Sequence, residues 1–281
     1  MRVSLIGSFE FGGDGEQKIA LKAVKLCQLL AVLALKPRET VPASTLIREL
    51  WGENPPAAAP RTLQTHIYHA RKLLTESGLA TEQRKLLLTR SPGYQLDVDV
   101  DAVDVRRFER LVRQAEAAVA EGALEAGAAH LTRALSLWRG PLLGDVPVGA
   151  VLAGQAVLLE ELRIRAWELR VEIEHRWGRH REFLPDLRAI VDEYPLHEWF
   201  HGQLIVALHR SGRRGDALDA YQNLYRVLRN ELGLEPSAEL QRIQTDILES
   251  PGDSTPRGPH RPGGGSYRSA VTPLWSAALA G

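Results

Sequence analysis

Few residue groupings in this chain could do covalent chemistry. His197-Glu198-Trp199-Phe200-His201 fits H-E-x-x-H, in which two histidines one helical turn apart bind zinc and the glutamate acts as base. Its surroundings argue against that. The extended metalloprotease pattern needs Gly at 204 and His at 207, where the chain has Leu204 and Ala207, and the next glutamate is Glu231. Partly exposed helix residues are the expectation instead. Asp97, Asp99 and Asp101 imitate the start of a calcium loop, but position six is Ala102 rather than Gly and position twelve is Phe108 rather than Glu. There is no P-loop and no G-x-S-x-G elbow. Cys27 is the one cysteine, so neither a disulfide nor a thiolate zinc site forms within the chain, and its apolar helical setting reads as buried filler. No enzyme, no metal and no cofactor is expected.

The segment Pro60 to Glu76 is more informative. At 100° per residue Leu63, Ile67, Ala70 and Leu74 form one inward stripe. The opposite face carries Arg61, Thr65, Tyr68 and Lys72, flanked by Thr62, Gln64, His69 and Arg71, while His66 leans inward. No acid appears before Glu76. Cations, amides, hydroxyls and an aromatic without carboxylates are what a helix needs to meet phosphates and base edges in a major groove. The segment Leu88 to Tyr94, with Ser91-Pro92-Gly93 at its turn and Arg90 near its tip, follows as a hairpin that fits a wing.

The elements that must hold this face read as follows. Alternation around Val3 and Leu5, a GGDG turn at 12–15 and the triplet Ile19 to Leu21 suggest a small β-meander. Helices are expected over 22–35, stopped by Pro37, and over 43–51, opened by Pro42. A turn-prone Gly52 to Pro56 separates the second from the third. Beyond about 103 strand signals vanish, and helices are expected over 103–121, 123–138, 155–177, 180–194, 196–211, 214–230 and 236–249. Gly178-Arg179 recurs as Gly212-Arg213. At the same 34-residue offset Leu184, Leu187, Ile190 and Val191 match Leu218, Tyr221, Leu224 and Tyr225, the tetratricopeptide period, with a degenerate earlier unit near Gly122 to Leu137. The fold class is therefore mainly α. Residues 1–98 form an α+β winged helix-turn-helix, 103–249 an all-α tetratricopeptide-like domain, and 250–281, rich in Pro and Gly, a disordered tail.

Charge sharpens this division. Lys plus Arg and Asp plus Glu both total 35, so the chain is formally neutral. Residues 1–95 nevertheless carry a balance of +5 and residues 96–281 one of −5. A basic front suits a phosphate partner. The longest apolar stretch, Leu26 to Leu35, contains Gln28 and is too short to span a bilayer. The N-terminus shows no secretory h-region, so a cytoplasmic protein without membrane contact is expected.

Taken in order, "ELWGENPP" at 49–56, "RTLQTHIYHARKLL" at 61–74, "LTRSPGYQLDVD" at 88–99, "FERLV" at 108–112, "LWRGPLLGDV" at 137–146, "LEELRIRAWE" at 159–168, "ALHRSGRRGDALDAYQ" at 207–222 and "ELGLEPSAELQRIQTDIL" at 231–248 resemble the Streptomyces antibiotic regulatory protein family of transcriptional activators. The resemblance covers about residues 1–249 and implies an OmpR-type winged helix followed by a bacterial transcriptional activator domain. Tyr68-His69-Ala70-Arg71 stands where the family commonly has Ser-Arg-Leu-Arg. By resemblance Thr65, Tyr68 and His69 face bases. Arg61, Arg71, Lys72 and Arg90 face phosphates, and Thr62 and Gln64 serve either role. The partners so implied are promoter DNA carrying direct repeats, a second protomer side by side on it, and RNA polymerase including its sigma factor. The loop around Trp51 to Pro56 would meet polymerase, with Glu53 and Asn54 as its polar contacts. The alternative is a tetratricopeptide scaffold that binds protein and no DNA.

Overall fold

In the computed structural model, residues 1–12, 18–19, 23–81 and 83–249 are described. Most of the expected GGDG turn, the residues preceding Ala23 and the expected tail at 250–281 lie outside them. Strands β1 (Arg2–Ser4), β2 (Glu10–Gly12) and β3 (Lys18–Ile19) form an antiparallel meander with Val3 opposite Phe11. Helices α1 (Val24–Ala34), α2 (Ala43–Trp51) and α3 (Ala59–Glu76) follow.

Between α1 and α2 lies a strand that the periodicity did not predict, β4 (Thr40–Pro42). With β5 (Leu87–Arg90) and β6 (Gly93–Leu96) it makes a second antiparallel sheet in the order β4-β6-β5. Three residues ending in proline carry little alternation of their own; pairing with β6 makes them a strand. The pairing needs a glycine. Pro42 sits opposite Gly93, and a Cβ there would lie 1.9 Å from the Val41 carbonyl oxygen.

The rear is helical: α4 (Asp104–Ala120), α5 (Leu124–Leu135), α6 (Ala150–Arg176), α7 (Leu184–Glu193), α8 (Glu198–Arg210), α9 (Arg214–Glu231) and α10 (Ala238–Glu249). The expected earlier unit shares the turn of the later two. Helices α4, α6 and α8 each end at a glycine of positive φ: Gly122 at 77°, Gly178 at 70° and Gly212 at 76°. In each case the next amide returns to the carbonyl five residues back, Ala123 to Ala118, Arg179 to Glu174 and Arg213 to Leu208. This closure satisfies helix-end carbonyls that would otherwise be unpaired.

Packing does not divide where the strands stop. One buried cluster runs from Val3 through α1 to α5 and along α6 to Ile173, and a second joins Val171 to α7–α10. Two buried carboxylates pin the front to the rear. Asp104, at the start of α4, accepts the amides of Leu5 (2.8 and 3.0 Å), Ile6 (3.1 Å) and Val105 (2.8 Å), with Arg139 3.6 Å away. Glu49, on α2, accepts the amides of Gly149 (2.5 Å), Val151 (2.9 Å) and Leu152 (3.0 Å), and so caps α6 from another element. For this reason α6 starts at Ala150 instead of the expected 155. Gln28 donates to the Pro147 carbonyl at 2.7 Å and the Phe9 amide to Asp145 at 2.8 Å, closing the same seam.

Candidate nucleic-acid interface

Helix α3 forms as the spacing requires. Pro60 occupies its first turn, and Leu63, Ile67, Ala70 and Leu74 are all buried. It ends where the Ser77 hydroxyl donates to the Leu73 carbonyl (2.8 Å) and Gly78 takes φ +71°. Burying one stripe leaves the other to solvent: Arg61, Gln64, Thr65, Tyr68, His69, Arg71 and Lys72 are exposed, and Thr62 is half-buried. Tyr68 keeps 62% of its surface accessible, far more than a core aromatic would. Its ring and that of His69 lie 5.7 Å apart.

Most of these groups have uncommitted hydrogen-bonding capacity. The Thr62 and Thr65 hydroxyls donate back to the carbonyls of Ala58 (3.1 Å) and Arg61 (3.3 Å), which leaves their lone pairs outward. Lys72 lies 3.7 Å from Glu76, an exposed i,i+4 pair of little energetic weight. Arg71 behaves differently. Its Nε donates to the Leu87 carbonyl (3.0 Å) and its Nη2 to the Thr89 hydroxyl (2.8 Å), both on β5. The expected phosphate contact is therefore also the tie between the helix and the hairpin. Spacing could not reveal this, because the partner lies on another element.

The hairpin carries Arg90 exposed at its tip, followed by exposed Ser91 and Pro92. Arg84 and Lys85, exposed in the connection from α3 to β5, add two cations that helix periodicity had no means to single out. On the other flank, His66 turns inward as expected and sits 6.1 Å, ring to ring, from Trp51. Burial, then the neighbouring His69 and Lys25, push its pKa down. Trp51 is half-buried against the core, while Glu53 and Asn54 project from the exposed connection between α2 and α3.

The H-E-x-x-H segment is built for packing. His197 precedes α8 with its ring 4.4 Å from that of Phe200. Glu198 accepts the Ser237 amide at 2.7 Å. His201 is buried, not partly exposed as expected, and its Nε2–H donates to the Pro195 carbonyl at 3.0 Å. Among the described residues no cluster of three His, Cys, Asp or Glu side chains could hold a metal ion. Asp99 caps the turn of Asp101 (2.9 Å) and, with Asp97, lies near Arg38 (3.7 and 3.3 Å). Cys27 is buried. No described helix is long and apolar enough to cross a membrane.

Comparison with known proteins agrees with this arrangement. The family described as "Bacterial transcriptional activator domain" matches residues 103–248, and "Transcriptional regulatory protein, C terminal" matches 16–96. The regulatory protein DnrI of Streptomyces peucetius is 39% identical over 269 residues, 95% of this chain and 98% of DnrI. The transcriptional regulator RedD of Streptomyces coelicolor is 37% identical over 228 residues, 81% of this chain and 65% of RedD. Among solved structures, Mycobacterium tuberculosis EmbR in complex with a low affinity phosphopeptide superposes with a TM-score of 0.76 at 31% identity, covering 88% of this chain and 64% of EmbR. Winged helix, helical rear and these relatives together place the chain in the Streptomyces antibiotic regulatory protein family, a family of DNA-binding transcriptional regulators and not of enzymes.

Proposed function

We propose that this protein activates transcription by reading promoter direct repeats through α3 and recruiting RNA polymerase, for a biosynthetic gene cluster of the kind that gives its family its name. The observation that carries the reading is the outer face of α3, free of acids from Arg61 to Thr75 and exposed beside a hairpin whose tip bears Arg90. Thr65, Tyr68 and His69 meet base edges in the major groove. Arg61, Lys72 and Arg90 meet phosphates, with Arg90 reaching an adjacent minor groove, and Arg71 does so while holding the wing. Thr62 and Gln64 serve either surface. Two protomers facing the same way, about one helical turn apart, would occupy one face of the duplex. Glu53 and Asn54 form the polar part of the surface offered to polymerase and its sigma factor. The protein works in the cytoplasm, where its promoter is.

Footprinting the full chain on promoter fragments beside its own gene tests this. Protection should fall on direct repeats, and affinity should drop steeply with salt, the log–log slope being about 0.9 for each phosphate neutralised. Flat affinity between low and physiological salt would overturn the DNA reading in favour of the protein-binding scaffold.

A further inference from the structure

The 34-residue repeat carries charge as well as apolar residues. His175-Arg176-Trp177-Gly178-Arg179-His180 recurs as His209-Arg210-Ser211-Gly212-Arg213-Arg214. Each segment closes a helix, α6 and α8, and the two turns touch where the Arg210 guanidinium donates to His180 Nε2 at 3.3 Å; within the first turn the rings of His175 and His180 lie 5.0 Å apart. Neither 175–181 nor 209–214 contains an acid, although residues 96–281 as a whole carry −5. A basic ridge therefore stands on an acidic body. Burial, then His180 and Arg210, push His175 down to about 4, and burial with Arg210 also lowers His180.

Most of these arginines are exposed and only weakly committed to other groups. Arg181 and Arg210 have no carboxylate within salt-bridge reach among the described residues. Arg176, Arg179 and Arg213 sit 2.5, 4.0 and 2.5 Å from Glu172, Glu182 and Asp216, in exposed pairs worth little. Arg214 donates to the Leu248 carbonyl at 2.8 Å.

We propose that the two turns form a second, sequence-independent contact with the DNA backbone, on duplex flanking the sequence that α3 faces. The proposal rests on the DNA reading above. Guanidinium forks match phosphate geometry, and the ridge holds six arginines and no lysine. A protein partner would need an apolar anchor. The large apolar side chain here, Trp177, is instead covered by the Arg179 guanidinium, 4.4 Å from its ring. The reach also fits. The start of α6 is held on α2 by Glu49, and its 27 residues extend about 40 Å, the length of roughly twelve base pairs.

The test uses the full chain, the shortest promoter duplex that retains specific binding, and the same duplex extended by about 20 base pairs of random sequence on each side. Extension should tighten binding about tenfold at low salt and steepen the salt slope by about 2. The exposed double variant Arg181→Glu, Arg210→Glu should bind the short duplex like the wild type and lose the gain from extension. Arg181→Gln, Arg210→Gln, with an unchanged thermal melt, should lose part of it. Equal wild-type affinity for both duplexes, or a variant equally weakened on both, would overturn the ridge. A variant that binds both duplexes normally but transcribes poorly would also overturn it and assign the ridge to an acidic protein. Absence of specific wild-type binding to a promoter duplex of any length would count against the DNA reading itself.

Discussion

At the seam between front and rear, Glu49 and Asp104 are buried and between them accept the backbone amides of six residues. On the outer face of α3, the side chains of Gln64, Tyr68 and His69 make no hydrogen bond within the described protein and stand in solvent. The same chemical inventory is used in opposite ways. A buried carboxylate is tolerable only when its oxygens are satisfied, so the seam's polar groups are committed to holding elements together. A surface that must exchange water for a ligand does better with donors and acceptors that lose no internal partner on binding. The lesson is that in this protein a polar residue's accessibility and prior commitments, more than its type, separate a strut from a contact. Arg71 stands between the two cases, exposed yet committed to β5.

The largest effect should come from breaking the seam. Glu49→Ala would leave three amides at the start of α6 without an acceptor, costing about 3–5 kcal/mol of stability by urea unfolding. Glu49→Gln, which keeps one acceptor oxygen, should fall between. A loss below about 1 kcal/mol in the alanine variant would mean the seam is not the strut described here.

Arg71 sharpens the comparison. If it ties the wing to the recognition helix, Arg71→Ala should weaken DNA binding about tenfold, and adding Arg90→Ala should cost much less than Arg90→Ala alone. Contacting residues typically couple by about 0.5–3 kcal/mol in such cycles. Strict additivity would reduce Arg71 to an ordinary phosphate contact.

The smallest physical change belongs to the loop after α2. Glu53→Lys with Asn54→Ala alters exposed side chains only, so stability should move by less than about 0.5 kcal/mol. Affinity for the promoter duplex should hold while transcription in a purified system falls. Wild-type transcription would move the activating surface elsewhere, the acidic rear being the next place to look.

Much of this was legible in the residues alone. The stripe Leu63, Ile67, Ala70 and Leu74 named the buried side of α3 and, by subtraction, its outer face, because a helix of known pitch leaves no choice of which residues share a side. The Gly178 and Gly212 turns followed from the 34-residue period, since only glycine adopts positive φ there without strain. What depended on residues far apart in the chain was not legible. β4 is a strand because Gly93 lets β6 approach. α6 begins at Ala150 because Glu49, about a hundred positions earlier, caps it. His201 is buried because α8 packs it inward, and Arg71 is a tie because β5 lies within reach of its guanidinium. Local pattern determined which faces were apolar and which carried charge. Tertiary structure decided which of those charges were already spoken for, because a hydrogen bond is set by distance in space and carries no trace in sequence spacing.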